Sequence, residues 1–314
     1  MKIMITGGMG FVGSHLTESL LRKNHDLIIL SKSLTKRNNI STIFKKIKFE
    51  KVNTTNHSKL KKIIERHRPE IIVHLAGETS HSKSFKYPLR DIESNSKSTL
   101  FILETIRKLK LNCKFVLGST FIVVGKPKKL PVTENTPCNP TTIYGINRLS
   151  SEYFTKVYHD VYGLDTNIFR ITNSFGPREQ IIPQKNAVNY LIYSAFKGND
   201  LTIYNKGKFY RDLVYVSDVV SGIETILKKG KSGELYWISS GKKTWFYELG
   251  KILEDLTKTK VQYVDSPTYT KKVDVGNFVV NNSKLRKLGW KPTVSLRKGI
   301  LNTLDYFSTT KNNF

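Results

Sequence analysis

The chain has 314 residues, a formal net charge of +27 and two cysteines. Two cysteines exclude a disulfide scaffold, and no apolar run reaches the length needed to span a bilayer. The lysines are scattered in small groups such as Lys45-Lys46, Lys61-Lys62, Lys128-Lys129, Lys228-Lys229 and Lys271-Lys272, with no basic tail and no nucleic-acid motif. That distribution predicts a solvated basic surface, with no specific nucleic-acid partner and no membrane insertion. The N-terminus lacks the order of a signal peptide, so the reading is cytoplasmic, with Cys113 and Cys138 as ordinary thiols in a reducing compartment.

In chain order, a strand over Ile3 to Thr6 runs straight into Gly7-Gly8-Met9-Gly10-Phe11-Val12-Gly13 and then into a helical pattern whose buried stripe is Leu16, Leu20 and Leu21. Gly7, Gly10 and Gly13 keep the spacing G-x-x-G-x-x-G, and Gly8, Gly10 and Gly13 also satisfy G-x-G-x-x-G. A strand that reverses into a helix while its backbone approaches a pyrophosphate needs glycine at such positions, because side chains would block the N–H groups. The segment therefore predicts a dinucleotide-binding turn, with Gly7, Gly10, Phe11, Val12 and Gly13 at the ligand.

Further strands are expected at Leu27 to Leu30, Ile47 to Val52, Ile71 to Leu75, Phe115 to Leu117 and Thr166 to Ile171. Helical periodicity separates them at Leu60 to His67, Ser98 to Leu109 and Ser150 to Tyr162. This alternation predicts an α/β fold, a Rossmann doubly wound parallel sheet carrying a smaller α/β C-terminal lobe. Past Gly176-Pro177 a helix is expected around Val188 to Lys197, a strand and turn through Leu201 to Tyr210, and a return to sheet at Leu213 to Val216. Short helices and strands follow from about Gly241. The domain reading is 1–175, with 210–240 returning to it, and a second lobe of 176–209 and 241–314.

Chemistry is expected at the carboxyl ends of the parallel strands. Ala76-Gly77 and Gly118-Ser119-Thr120 lie there, and Tyr144-Gly145-Ile146-Asn147-Arg148 leads into the helix of Ser150 to Tyr162. Tyr144 and Arg148 are four apart and share a face once helical. The plain structural alternative for Tyr144 is a packed aromatic at a helix start, and for Arg211-Asp212 an internal salt bridge.

The turn Thr6-Gly7-x-x-Gly10-x-x-Gly13, His74-Leu75-Ala76-Gly77, Asn95, Ser119-Thr120 with Val124-Gly125, Tyr144, Arg170-x-x-Asn173 with Gly176-Pro177, and Arg211-Asp212 stand in one order. So arranged, the chain resembles the extended short-chain dehydrogenases/reductases, and among them the nucleotide-sugar epimerases, dehydratases and reductases. The likeness reaches Asn282-Ser283-Lys284-Leu285 and Leu288-Gly289-Trp290-Lys291-Pro292. It implies Tyr144 as the acid/base toward a sugar hydroxyl or carbonyl, Thr120 on the same oxygen, and Asn173 and Arg211 on the diphosphate of a nucleoside-diphosphate sugar. His81, after Ser80, is added to the substrate side. Leu75, Ala76, Gly77 and Asn95 join the cofactor cleft, and no metal is expected.

Three departures from the family pattern qualify that reading. Arg148 stands where the family places lysine; its fixed charge still favours the phenolate, but a guanidinium does not replace an ammonium without rearrangement. Phe121 and Ile122 stand where the 4,6-dehydratases have an Asp-Glu pair, which argues against dehydration. Ser31 and Lys32 stand where users of NAD end the second strand with a carboxylate, which tilts the expected cofactor from NAD toward NADP. Asn53 takes the position expected to touch adenine. The resemblance implies an NAD(P)-dependent enzyme working by hydride transfer at the hexose C4, either a 4-epimerase or a 4-ketoreductase. The alternative is a catalytically impaired protein that binds dinucleotide and nucleotide sugar. It also implies a homodimer joined through the helices beginning near Asp91 and Tyr144.

Overall fold

Seven short segments form one parallel sheet: β1 (Lys2–Thr6), β2 (Asp26–Ser31), β3 (Lys48–Lys51), β4 (Ile71–His74), β5 (Lys114–Thr120), β6 (Thr166–Ile171) and the strand Leu235–Ile238. The computed structural model describes residues 1–182, 186–265 and 274–310; residues 183–185, 266–273 and 311–314, which fall in the expected second lobe, lie outside the described residues. The order across the sheet is Leu235–Ile238, β6, β5, β4, β1, β2, β3. Ile71–His74 is buried at every position, as expected of strands covered on both faces, which read as continuous apolar runs.

Two helical layers cover the sheet. Helices Phe11–Arg22 and Val216–Lys229 bury Leu16, Leu20, Val219, Ile223 and Ile226 against one face. On the other face, helices His57–His67, Ser98–Lys108 and Ile143–Tyr162 bury Leu60, Ile64, Ile102, Leu103 and Tyr158. β1 lies between β2 and β4, so the chain winds outward to β3 and then crosses back. That reversal opens a crevice at the carboxyl ends of β1 and β4, the place where doubly wound sheets bind ligands.

Several expectations shift. β5 runs on to Thr120 instead of stopping at Leu117, because residues 118–120 keep pairing with β6. Helix Ile143–Tyr162 starts seven residues before Ser150, its first turn capped by the Thr142 hydroxyl, which accepts from the Gly145 N–H at 3.0 Å. Leu213–Tyr215 does not return to the main sheet; it pairs with Asn173–Phe175 in a separate ladder, and Leu235–Ile238 supplies the seventh strand. The C-terminal lobe has its own apolar centre, where helices Ala187–Phe196, Phe246–Thr257 and Leu296–Thr309 pack Val188, Ile192, Leu249, Leu253 and Phe307 together. No described helix is long and apolar enough to cross a membrane.

Candidate active site

The glycine turn is built as its spacing demands. Gly7 has φ +72° and donates its N–H to the Leu30 carbonyl at 2.9 Å, while the Gly10 N–H reaches the Gly7 carbonyl at 2.8 Å. A Cβ on Gly13 would lie 2.9 Å from the Gly8 Cα and closer still to the Gly7 carbonyl oxygen; one on Gly7 would stand 3.0 Å from the Ala76 nitrogen. Gly10 caps helix Phe11–Arg22 without a side-chain acceptor, and the first turn carries no acidic residue. Its leading N–H groups and positive end therefore face the crevice. Phe11 and Val12 lie at this helix start, with Phe11 packed toward the second lobe and Val12 toward the sheet.

The ends of β1 and β4 are tied by Thr6, whose hydroxyl pairs with His74 Nδ1 at 2.7 Å and accepts the Ala76 N–H at 3.1 Å. Burial, aided by the Arg148 charge, pushes His74 down to about 3, so the imidazole is neutral in the folded protein. Beyond Leu75 and Ala76, Gly77 has φ +159° and a Cβ there would collide with Asn95 Oδ1 and stand 3.4 Å from Arg148 Nη1. Asn95 sits in a single π-helical turn, Glu93–Lys97, between helices Pro88–Ile92 and Ser98–Lys108. Such turns often mark functional sites.

Tyr144, Thr120, Arg148, Asn95 and His81 converge. The Tyr144 phenol is hydrogen-bonded with Thr120, and the ring meets His81 edge to face at 5.5 Å. Burial pushes the phenol above its ordinary range; the Arg148 charge and the Thr120 hydrogen bond pull it down, and Asp91 raises it. Arg148 is 5% exposed, donates from Nη1 to Asn95 Oδ1 at 3.5 Å, and leaves its buried Nε without a partner among the described residues. Burial also lowers His81, against the pull of Asp91.

The flanks of the crevice differ from expectation in places. The turn Phe121–Val124 is apolar: Ile122 is buried and Phe121 packs edge to face on Phe278 at 5.1 Å. Arg211 does not pair with Asp212. It forms an ion pair with Asp274 and donates to the Gly276 carbonyl, while Asp212 anchors the chain by accepting from the Ser240 N–H at 2.8 Å, the Gly241 N–H at 3.1 Å and the Val280 N–H at 3.2 Å. Asn173 keeps a buried side-chain oxygen with no partner among the described residues. At the end of β2, the Ser31 hydroxyl donates to the Ser33 carbonyl at 3.0 Å, and Lys32 lies 3.5 Å from Glu78, which also takes Arg90 at 3.3 Å. Asn53 is exposed and accepts from the Thr55 N–H at 3.3 Å.

Sequence reasoning missed a buried charged core behind Thr120. Glu152 takes the Ser119 hydroxyl and forms an ion pair with Arg170 at 2.6 Å, each about 5% exposed, and Arg170 also donates to Cys138 Sγ at 3.2 Å. The available signal was spacing: Glu152 follows Arg148 by four, as Arg148 follows Tyr144, so all three lie along one helix face. Asp91 and Asn147 were missed as well. Asp91 is 1% exposed and accepts from Asn95 at 3.0 Å and Asn147 at 2.7 Å.

A family described as GDP-mannose 4,6 dehydratase matches residues 4–303. The chain belongs to that family. Among its relatives, a Methanocaldococcus jannaschii protein provisionally named UDP-glucose 4-epimerase is 31% identical over 315 residues, covering 99% of each chain. The dTDP-glucose 4,6-dehydratase of Salmonella typhimurium is 28% identical over 337 residues, covering 98% of this chain and 92% of its own. The crystal structure of the Thermus thermophilus UDP-glucose 4-epimerase in complex with NAD superposes with a TM-score of 0.89 at 27% identity, covering 99% of this chain and 100% of that one. The protein is thus a member of the nucleotide-sugar epimerase/dehydratase family with a Rossmann fold.

Proposed function

We propose that this protein acts on a nucleoside-diphosphate sugar by hydride transfer at the hexose C4, as a 4-epimerase or 4-ketoreductase and not as a 4,6-dehydratase. The observation that carries the reading is the cluster of Thr120, Tyr144 and Arg148 beside an apolar turn. Tyr144 and Thr120 share a hydrogen bond, and Phe121 and Ile122, which follow Thr120, can neither take nor give a proton. A dehydratase needs a second acid and base to remove water, and this turn offers neither. The relatives include enzymes named for both reactions, so the apolar pair is what separates the two readings.

The residues of the crevice fit a nicotinamide dinucleotide. The Gly7–Gly13 cradle has no room for side chains, the helix start at Gly10 presents open N–H groups, and the unpartnered Arg148 Nε points to a missing acceptor. Gly7, Gly10, Phe11, Val12 and Gly13 would hold the pyrophosphate. Ser31, Lys32 and Asn53 would lie at the adenosine, and Leu75, Ala76, Gly77, Asn95, Tyr144 and Arg148 at the nicotinamide side. When bound, the cofactor supplies the acceptor and donor of hydride. Ser31 and Lys32 present no carboxylate to a 2′-phosphate, which supports NADP over NAD, although NAD occupies the Thermus relative.

Within that frame Tyr144 exchanges a proton with the sugar oxygen while Thr120 orients it, and the fixed Arg148 charge steadies the phenolate. His81 stands at the sugar. Asn173 and Arg211 hold the diphosphate, which competes with Asp274 for the Arg211 fork. Residues 1–175 and 210–240 carry the dinucleotide, and 176–209 with 241–314 carry the nucleotide sugar. A homodimer is supported by exposed apolar side chains along the helices expected to join it: Leu89 at 76%, Ile146 at 52%, Tyr153 at 60%, Val157 at 48% and Val161 at 67%. Product analysis by NMR tests the reading. A sugar inverted or reduced at C4 supports it, and a 4-keto-6-deoxy sugar overturns it.

A further inference from the structure

We propose that Asp91 is a positioning residue of this site, its buried carboxylate holding Asn95 and Asn147 in place and balancing the Arg148 guanidinium beside Tyr144. The inference rests on the reading of Tyr144 as the acid/base and adds a group that this reading does not use.

Asp91 lies on helix Pro88–Ile92, one turn before Asn95, and is 1% exposed. A carboxylate that deep is costly unless it is hydrogen-bonded and offset by a cation. Half of it is satisfied: Oδ1 accepts from Asn95 Nδ2 at 3.0 Å and from Asn147 Nδ2 at 2.7 Å. The other half, Oδ2, is buried without a partner among the described residues, as is the Nε of Arg148. Two opposite and incompletely satisfied charges thus lie in one buried cluster, on helices packed against each other.

The hydrogen bonds give Asp91 a path to Arg148. The Asn95 amide nitrogen is shared between Asp91 Oδ1 and the Glu78 carbonyl at 3.2 Å, which turns the Asn95 oxygen toward Arg148 Nη1. Remove the carboxylate, and that amide keeps only the Glu78 carbonyl and loses the shorter of the two bonds that orient it. On the other side, Asn147 precedes Arg148 in the helix and is held by the same oxygen, so Asp91 clamps both approaches to the guanidinium.

Charge gives it a second path. A guanidinium cannot lose its proton, so beside a phenol it favours the phenolate at every working pH. The groups facing the Tyr144 phenol are Arg148 on its own helix, Asp91 from helix Pro88–Ile92, the His81 ring from helix His81–Lys86 and Thr120 from the end of β5. Among these, Asp91 is the one anion, and it opposes Arg148 at Tyr144 and acts on His81 as well. The buried carboxylate therefore keeps Tyr144 able to give its proton back as well as to take it, which a two-way proton exchange requires.

Asp91→Asn tests this, because the amide can retain Oδ1 as the acceptor and removes only the charge. The first readout is the difference in tyrosinate absorbance between a protein and its Tyr144→Phe version, titrated with pH in the wild-type and Asp91→Asn backgrounds. The expected result is ionisation of Tyr144 at a pH lower by about half a unit or more in Asp91→Asn, with the acid limb of the kcat profile moving the same way, about threefold in rate at a fixed pH on that limb. Coincident titrations, or a uniform loss of rate with an unmoved limb, would overturn the proposal and leave Asp91 a packing residue. If Asp91→Asn does not fold, Asn147→Ala keeps the charge and frees one side of the clamp on Arg148; the Tyr144 titration should then move to higher pH, and an unmoved or lowered titration would overturn the proposal. The titration needs no turnover. A protein that fails to act on any nucleotide sugar would refute the reading of its function while still deciding the role of Asp91.

Discussion

Gly13→Ala is the perturbation whose consequence the structure fixes most closely. The added methyl would lie 2.9 Å from the Gly8 Cα and closer to the Gly7 carbonyl oxygen, and all of these are backbone atoms that no rotamer change can move aside. Overpacking of this kind costs about 1–3 kcal/mol. Alanine in a helix recovers about 1 kcal/mol over glycine, so the net loss is up to about 2 kcal/mol. With an unfolding entropy of about 2.1 cal/mol/K per residue, a chain this long loses about 1.5 °C of melting temperature per kcal/mol, giving a fall of about 3 °C. The larger effect falls on the ligand: the helix start must withdraw from the turn, and affinity for nicotinamide dinucleotide should drop at least about tenfold, roughly 1.4 kcal/mol. Calorimetric melting and dinucleotide titration measure both. Gly163→Ala is the control, since Gly163 has nothing within 4 Å of its added Cβ; its positive φ of +68° should cost about 1 kcal/mol of stability and leave the affinity unchanged. A Gly13→Ala protein with unchanged melting and unchanged affinity would refute the argument.

Three further outcomes are expected. Tyr144→Phe should lower kcat by about 10²–10⁴-fold while dinucleotide affinity changes little, as steady-state kinetics beside a binding titration would record. Glu152→Ala strands Arg170 as a buried unpaired cation and should cost about 3–5 kcal/mol in denaturant unfolding; a loss below about 1 kcal/mol would show that the pair is hydrated. His74 is held neutral down to about 3, whereas an unfolded histidine titrates near 6.5. Between those values the unfolded chain binds the extra proton, so stability falls as pH drops below about 6.5. From pH 7 to pH 5 the His74 contribution is about 2 kcal/mol, and a His74→Gln protein should lack that part of the slope.

The Rossmann half was readable because its signals are local and mutually consistent. Strands β1, β2, β4 and β5 carry buried apolar runs, and the glycines of residues 7–13 admit few other structures. Leu235–Ile238 was not identified as a strand, because four apolar residues after a long helix carry no mark of which sheet they will join. Leu213–Tyr215 was readable as sheet but not by partner, since its ladder with Asn173–Phe175 joins segments far apart in the chain. At the site, Thr120, Tyr144 and Arg148 could be read from order and spacing. The Arg211–Asp274 pair could not, since it joins residues separated by more than sixty positions through folding alone. Asp91 was passed over because an acidic residue at the start of a helix usually faces water, and its burial depends on two asparagine amides that only the packed helices bring to it.

The central claim is that a nicotinamide dinucleotide and a nucleotide sugar meet at Tyr144. Denaturing the purified protein and identifying any released dinucleotide and its oxidation state by mass spectrometry and absorbance, before and after exposure to nucleoside-diphosphate sugars, tests it most directly. The account predicts NADP or NAD whose oxidation state changes with a particular sugar in the wild-type protein and not in Tyr144→Phe. A protein with neither bound dinucleotide nor affinity for one, or a cofactor that no sugar reduces and no keto sugar oxidises, would contradict it.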